Sequence, residues 1–167
     1  MKTPGIMAFL IDGNNLIGQW PDLDLHDPSS REALIGRLLM FQKIRRKKIV
    51  LVFDDRPAVF PLRREINARF LVLHPGDDAD ADSLINNLIS REKDKKGFVV
   101  VSSDREIRDT ARNRGFAGLT APEFIRLVRA ALKEGRKARE LEKTETPPTP
   151  VEQRLWEELF SRKRKSS

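Results

Sequence analysis

Aspartate recurs at four separated points of this chain: Asp12, the pair Asp54-Asp55, the run Asp77, Asp78, Asp80 and Asp82, and Asp104. Carboxylates gathered within a few ångströms repel one another, so either one is held protonated or a cation neutralises them. The 167 residues include no cysteine, which excludes a thiolate metal site, a thiol nucleophile and a disulfide scaffold. Oxygen-only donors suit a hard ion, Mg2+ or Mn2+. Such an ion activates water and steadies the oxygens of a phosphodiester during in-line displacement. Each acid also has a structural explanation: Asp82 and Asp104 fall at expected helix starts, and Asp54-Asp55 at a turn.

Other residues around these acids fit the same chemistry. Gly13 follows Asp12 and permits a sharp turn with close approach of a phosphate to the backbone. The amides of Asn14 and Asn15 suit a water, a phosphate oxygen or a ligand carboxylate, although Gly-Asn is also an ordinary turn. Arg56, Arg63 and Arg64 follow the Asp54-Asp55 pair and are candidates for gripping phosphates. His26 and His74 are isolated in expected loops, without a partner at metal-ligand spacing, and no catalysis is assigned to them.

What must position these groups is a set of short strands. Ile6–Ile11, Ile49–Phe53, Phe70–Leu73 and Phe98–Val101 are continuously apolar, as strands covered on both faces are. Phe116–Leu119 is a weaker fifth. Between them the spacing predicts helices over Ser29–Lys47, Asp80–Lys93, Ser103–Arg114 and Thr120–Leu132, the third opening with Ser103 and Glu106 at capping-box spacing. Alternating strands and helices imply an α/β fold with a parallel sheet and helices on both faces. Every acid group then follows a strand, and parallel strand ends share the edge where open α/β sheets bind ligands. The main domain is expected over residues 1–133, an exposed, extended linker over 134–150, and an amphipathic tail helix with a basic end over 151–167.

Thirty-two Lys and Arg against 25 Asp and Glu give a net charge of +7, the footprint of a polyanion partner such as RNA. The basic cluster Lys43–Lys48 falls on the edge opposite the acids and is read as a helix C-terminal charge group. Arg162–Lys165 is either an RNA or ribosome contact or a solubilising tail. Trp156 and Phe160 are expected to dock on the domain or on a partner. The longest apolar run is too short to cross a bilayer, so no membrane partner is expected. With no secretion leader recognisable, the cytoplasm is the expected location.

Taken together, the apolar run ending in Asp12-Gly-Asn-Asn15, Val52-Phe-Asp54-Asp55, Asp80-Ala-Asp82-Ser-Leu-Ile85 and Val100-Val-Ser-Ser-Asp104-Arg-Glu-Ile107 resemble the NYN family of PIN-like nucleases, in its YacP-like branch. The resemblance implies a three-layer α/β/α fold with a mostly parallel sheet, and metal-dependent endoribonuclease activity, for some members on ribosome-associated messenger RNA. It implies Asp12, Asp82 and Asp104 as catalytic metal ligands, with Asp54 or Asp80 completing the set. Ser102 and Ser103 would belong to the Ser-x-Asp-like segment beside the substrate, and Asn15 would orient water or substrate. The residue between the signature asparagines is not tyrosine, and the chain has none.

Two rivals remain at this level. One is a non-catalytic RNA- or ribosome-binding module on the same fold. The other is a different acidic-edge enzyme, but a phosphatase wants Asp-x-Asp where Asp12-Gly-Asn14 stands, and a Toprim-type nuclease wants a glutamate near the first strand end. No P-loop or Gly-x-Gly-x-x-Gly motif is present.

Overall fold

The computed structural model describes residues 8–54, 61–76, 80–145 and 149–165. Strands β1 (Ala8–Asp12), β2 (Lys48–Val52), β3 (Arg63–Asn67), β4 (Phe70–Leu73), β5 (Phe98–Val101) and β6 (Ala117–Leu119) form one sheet in the order β3-β4-β2-β1-β5-β6. All neighbours run parallel except β3, which is antiparallel to β4. The helices are α1 (Gly13–Gln19), α2 (Ser29–Arg45), α3 (Ala81–Arg91), α4 (Arg105–Asn113), α5 (Ala121–Glu145) and α6 (Pro150–Lys165).

Strands β1, β2, β4 and β5 are almost wholly apolar because each face meets its own core. Phe9 and Ile11 of β1 pack with Leu16 and Ile17 of α1, Leu34, Leu38 and Phe41 of α2, and Phe124 and Val128 of α5. Leu10 points the other way, among Ile85 and Ile89 of α3 and Ile107 and Ala111 of α4. The alternation along a single strand therefore separates two hydrophobic layers. This is the expected three-layer α/β/α arrangement with a mostly parallel sheet.

Several local expectations change. The helix α1 starts in the polar Gly-Asn-Asn segment, where a turn was expected; Asp12 provides its N-cap. Strand β3 was not expected, since charged residues alternate along it at the sheet edge. The capping box expected from Ser103 does not form: Asp104 is the N-cap of α4, while the Ser103 hydroxyl accepts the Ala121 N–H at the start of α5. Helix α5 runs on to Glu145, so 134–145 is helical where an extended linker was expected. Its Ala, Leu, Lys, Glu and Arg residues are strong helix formers, and charge alone does not unwind them.

The chain divides into two compact units, Met1–Lys133 and Glu134–Ser167. In the second, α6 carries Val151, Leu155, Trp156 and Leu159, all more than half exposed. The Phe160 side chain lies outside the described residues. Among those residues, no helix is long and apolar enough to cross a membrane.

Candidate active site

Parallel pairing brings the ends of three adjacent strands together. Asp12 lies opposite Val52 of β2, and Ile11 opposite Val101 of β5. Phe53-Asp54 and Ser102-Ser103-Asp104 therefore emerge on either side of Asp12. Asp12 itself is 9% exposed. Its carboxylate accepts the Asn15 N–H at 3.4 Å and the Ser102 hydroxyl at 3.3 Å. Burial, joined by the negative charges of Asp82 and Asp54, pushes its pKa up to about 6 against the pull of those two hydrogen bonds.

The two asparagines fasten this arrangement. The Asn14 side-chain carbonyl accepts the Asp54 N–H at 2.8 Å, and that of Asn15 accepts the Ser103 N–H at 2.8 Å. One turn thus ties the loop after β2 and the loop after β5 to the end of β1. A structural bond occupies each amide oxygen, which leaves the amide nitrogens as donors toward anything bound near the acids. Asn15→Ala would strand the Ser103 N–H, and we expect it to cost about 1–2 kcal/mol in denaturant unfolding.

The other acids fall into distinct roles. Asp54 is exposed, and its carboxylate accepts the Ala81 N–H at 3.2 Å, linking β2 to the start of α3. Asp80 caps α3 through the Ser83 N–H at 2.7 Å, and the Ser83 side chain, joined by that N–H, holds its pKa below the usual range. Asp82 sits in the first turn of α3; burial raises its pKa, and so do the charges of Asp104, Asp80, Asp54 and Glu106. Asp104 accepts the Glu106 N–H at 2.9 Å, and its own N–H donates to the Ser102 hydroxyl at 3.0 Å. Ser102 consequently bridges Asp104 and Asp12. Asp82 feels the charges of Asp54 and Asp104, and Asp12 those of Asp82 and Asp54. Among the described residues, no three carboxylate or imidazole groups close around a common point at ligating distance. The donor chemistry, oxygen alone and negative, fits a hard divalent cation.

Arg56, Asp55, Asp77 and Asp78 lie outside the described residues. Arg64 pairs with Glu32 at 2.7 Å and Arg63 with Glu65 at 3.2 Å. Gly13 has a use that the sequence did not reveal. A β-carbon there would stand 2.7 Å from the Phe53 ring and 3.0 Å from the Val52 carbonyl. Phe53 in turn stacks on His74, whose pKa is lowered by burial and by the charges of Arg31 and Arg64. Glu106, read from sequence only as a capping-box partner of Ser103, adds negative potential at Asp82.

The model of the YacP-like NYN domain matches residues 9–165, nearly the whole chain. The chain belongs to the YacP-like NYN family. The uncharacterized protein YacP of Bacillus subtilis (strain 168) is 31% identical over 83 residues, covering 47% of this chain and 49% of that protein. The match thus spans about half the length of that curated relative. The crystal structure of Rae1 (YacP) from Bacillus subtilis aligns over 96% of this YacP-like chain and 94% of its own, with a TM-score of 0.69 and 25% identity. The structure of a tryptophan-to-leucine mutant of that same protein aligns over 84% and 87%, with a TM-score of 0.66 and 25% identity. Membership in this family of PIN-like nuclease fold supports a nuclease or RNA-related role for the chain.

Proposed function

We propose that this chain is a divalent-metal endoribonuclease whose site is the acid cluster at the C-terminal sheet edge. One observation carries the reading: a buried Asp12 carboxylate whose pKa is pushed up to about 6 beside the like charges of Asp82 and Asp54. A carboxylate desolvated by burial, with like charges beside it, is steadied at neutral pH by a cation or a proton. Asp12, Asp82 and Asp104, with Asp54, would hold Mg2+ or Mn2+, which supplies an activated water and charge neutralisation at a phosphodiester. Asp80 is exposed and is not among the charges that raise Asp12, which makes it the weaker candidate for this set. Ser102 fixes the Asp12 and Asp104 loops against each other. The Asn14 and Asn15 amide nitrogens, with Arg56, would position the phosphate. RNA is the substrate class, and ribosome-associated messenger RNA follows from the family resemblance.

Cleavage of single-stranded RNA should require added Mg2+ or Mn2+, and Asp104→Asn should slow it roughly 10–100-fold, the usual scale for disturbing a metal environment. Because the ion binds only the folded cluster, each metal should also raise the melting temperature. Activity that persists in a chelator, or survives Asp104→Asn unchanged, would defeat this reading. The open spacing of the described carboxylates favours one alternative, a non-catalytic RNA-binding module. That alternative predicts salt-sensitive RNA binding without metal dependence and without any melting-temperature shift by metal.

A further inference from the structure

Far from the acids, the other end of the sheet carries a cationic surface built from separate elements. Lys43 lies in the last turn of α2, and Arg46 caps that helix. Arg69 sits in the tight turn between β3 and β4. These three, with Gln42 and Asn67, line a depression of about 420 Å³ that no acidic side chain enters. Its floor is a reciprocal amide pair: Gln42 donates to Asn67 at 3.1 Å and Asn67 to Gln42 at 2.8 Å. A second depression of about 210 Å³ shares Asn67 and Arg69 and adds Lys48 and Arg63, with Glu65 as its acidic member. The cations therefore form a continuous surface rather than one crowded helix end.

Arg46 makes the case stronger. Its backbone is left-handed, φ 53° and ψ 51°, at the helix-capping position that glycine ordinarily fills. A residue with a β-carbon is strained there, so the arginine side chain is held at the expense of the fold. The helix dipole accounts for Lys43, but neither for an arginine in this conformation nor for Arg69 on another element.

We propose that the Lys43, Arg46 and Arg69 surface is a second RNA-docking site that grips the phosphate backbone of a long RNA away from the strand being cut. The inference rests on the endoribonuclease reading. Lys48 opens β2 and Val52 closes it opposite Asp12, so the surface lies at least the strand's length, roughly 13 Å, from the acids. Only an RNA extending well beyond its scissile bond reaches both. Phosphate contacts of this kind add affinity without reading sequence.

The test uses the full chain in a chelator, with binding to a long single-stranded RNA measured across a salt series, and a metal-dependent cleavage assay on a dinucleotide beside it. Arg46→Gly should raise the melting temperature by roughly 2–4 °C through relief of strain. It should also make the dependence of log affinity on log salt shallower by about 0.7. The triple variant Lys43→Gln, Arg46→Gly, Arg69→Gln should make it shallower by about 2 and weaken long-RNA binding at least tenfold, while cleaving the dinucleotide at the wild-type rate. An unchanged salt slope overturns the inference. Loss of dinucleotide cleavage in the triple variant overturns it too, since the surface would then act through the acid site. If the wild-type protein cuts neither RNA, the nuclease reading fails, while the salt series still decides whether the surface binds RNA.

Discussion

Asp12→Asn is expected to make the protein more stable while slowing RNA cleavage. The unfolded chain ionises this residue near 3.8, the folded chain near 6. Between those values the folded state holds the extra proton, so Asp12 erodes stability as pH climbs through this window. At neutral pH the whole deficit is present, up to about 3 kcal/mol at 1.36 kcal/mol per unit. Asparagine keeps an acceptor for the Asn15 N–H and is a good helix N-cap, so the charge is removed and the cap preserved. Denaturant unfolding should show the gain at pH 7 and none at pH 3. RNA cleavage should fall roughly 10²–10³-fold, the scale for loss of a group acting on transition-state charge. The stabilisation of the wild type by Mn2+ should vanish with it. An Asp12→Asn protein that is no more stable at pH 7 than at pH 3, relative to wild type, would refute the electrostatic account.

Gly13→Ala should do the reverse, destabilising the fold by about 1–3 kcal/mol as overpacked cores are. Its β-carbon meets the Phe53 ring at 2.7 Å and the Val52 carbonyl at 3.0 Å. Phe53 is 1% exposed and stacked on His74, so its ring has little room to retreat. Any movement travels directly into Asp54, the next residue. Cleavage should therefore weaken along with stability, and Phe53→Leu in the same chain should restore part of both. A Gly13→Ala protein with wild-type stability would show that the ring yields freely.

Particular residues show how much of this could be read in advance. Strands β1, β2, β4 and β5 were legible because both faces are covered and the apolar runs are unbroken. Strand β3 was not, since Arg63, Glu65 and Asn67 face solvent at the sheet edge. The grouping of Asp12, Asp54, Asp82 and Asp104 followed from parallel topology, which gathers strand ends whatever their separation in sequence. The jobs of the asparagines did not. Asn14 bonds a partner 40 residues away and Asn15 one 88 residues away, and no local pattern records such pairings. Helix α5 was cut short in the reading because a dense charge run resembles a linker, although its residues favour the helix individually.

The place of β1 between β2 and β5 carries a consequence for biosynthesis. This strand precedes the other five in the chain, yet its partner β5 is completed only at Val101 and the Asp104 loop after that. Parallel partners this distant cannot pair until the intervening chain has been made and closed on itself. A nascent chain thus exposes its first aspartate early but gathers the acid cluster only once most of the domain has been translated.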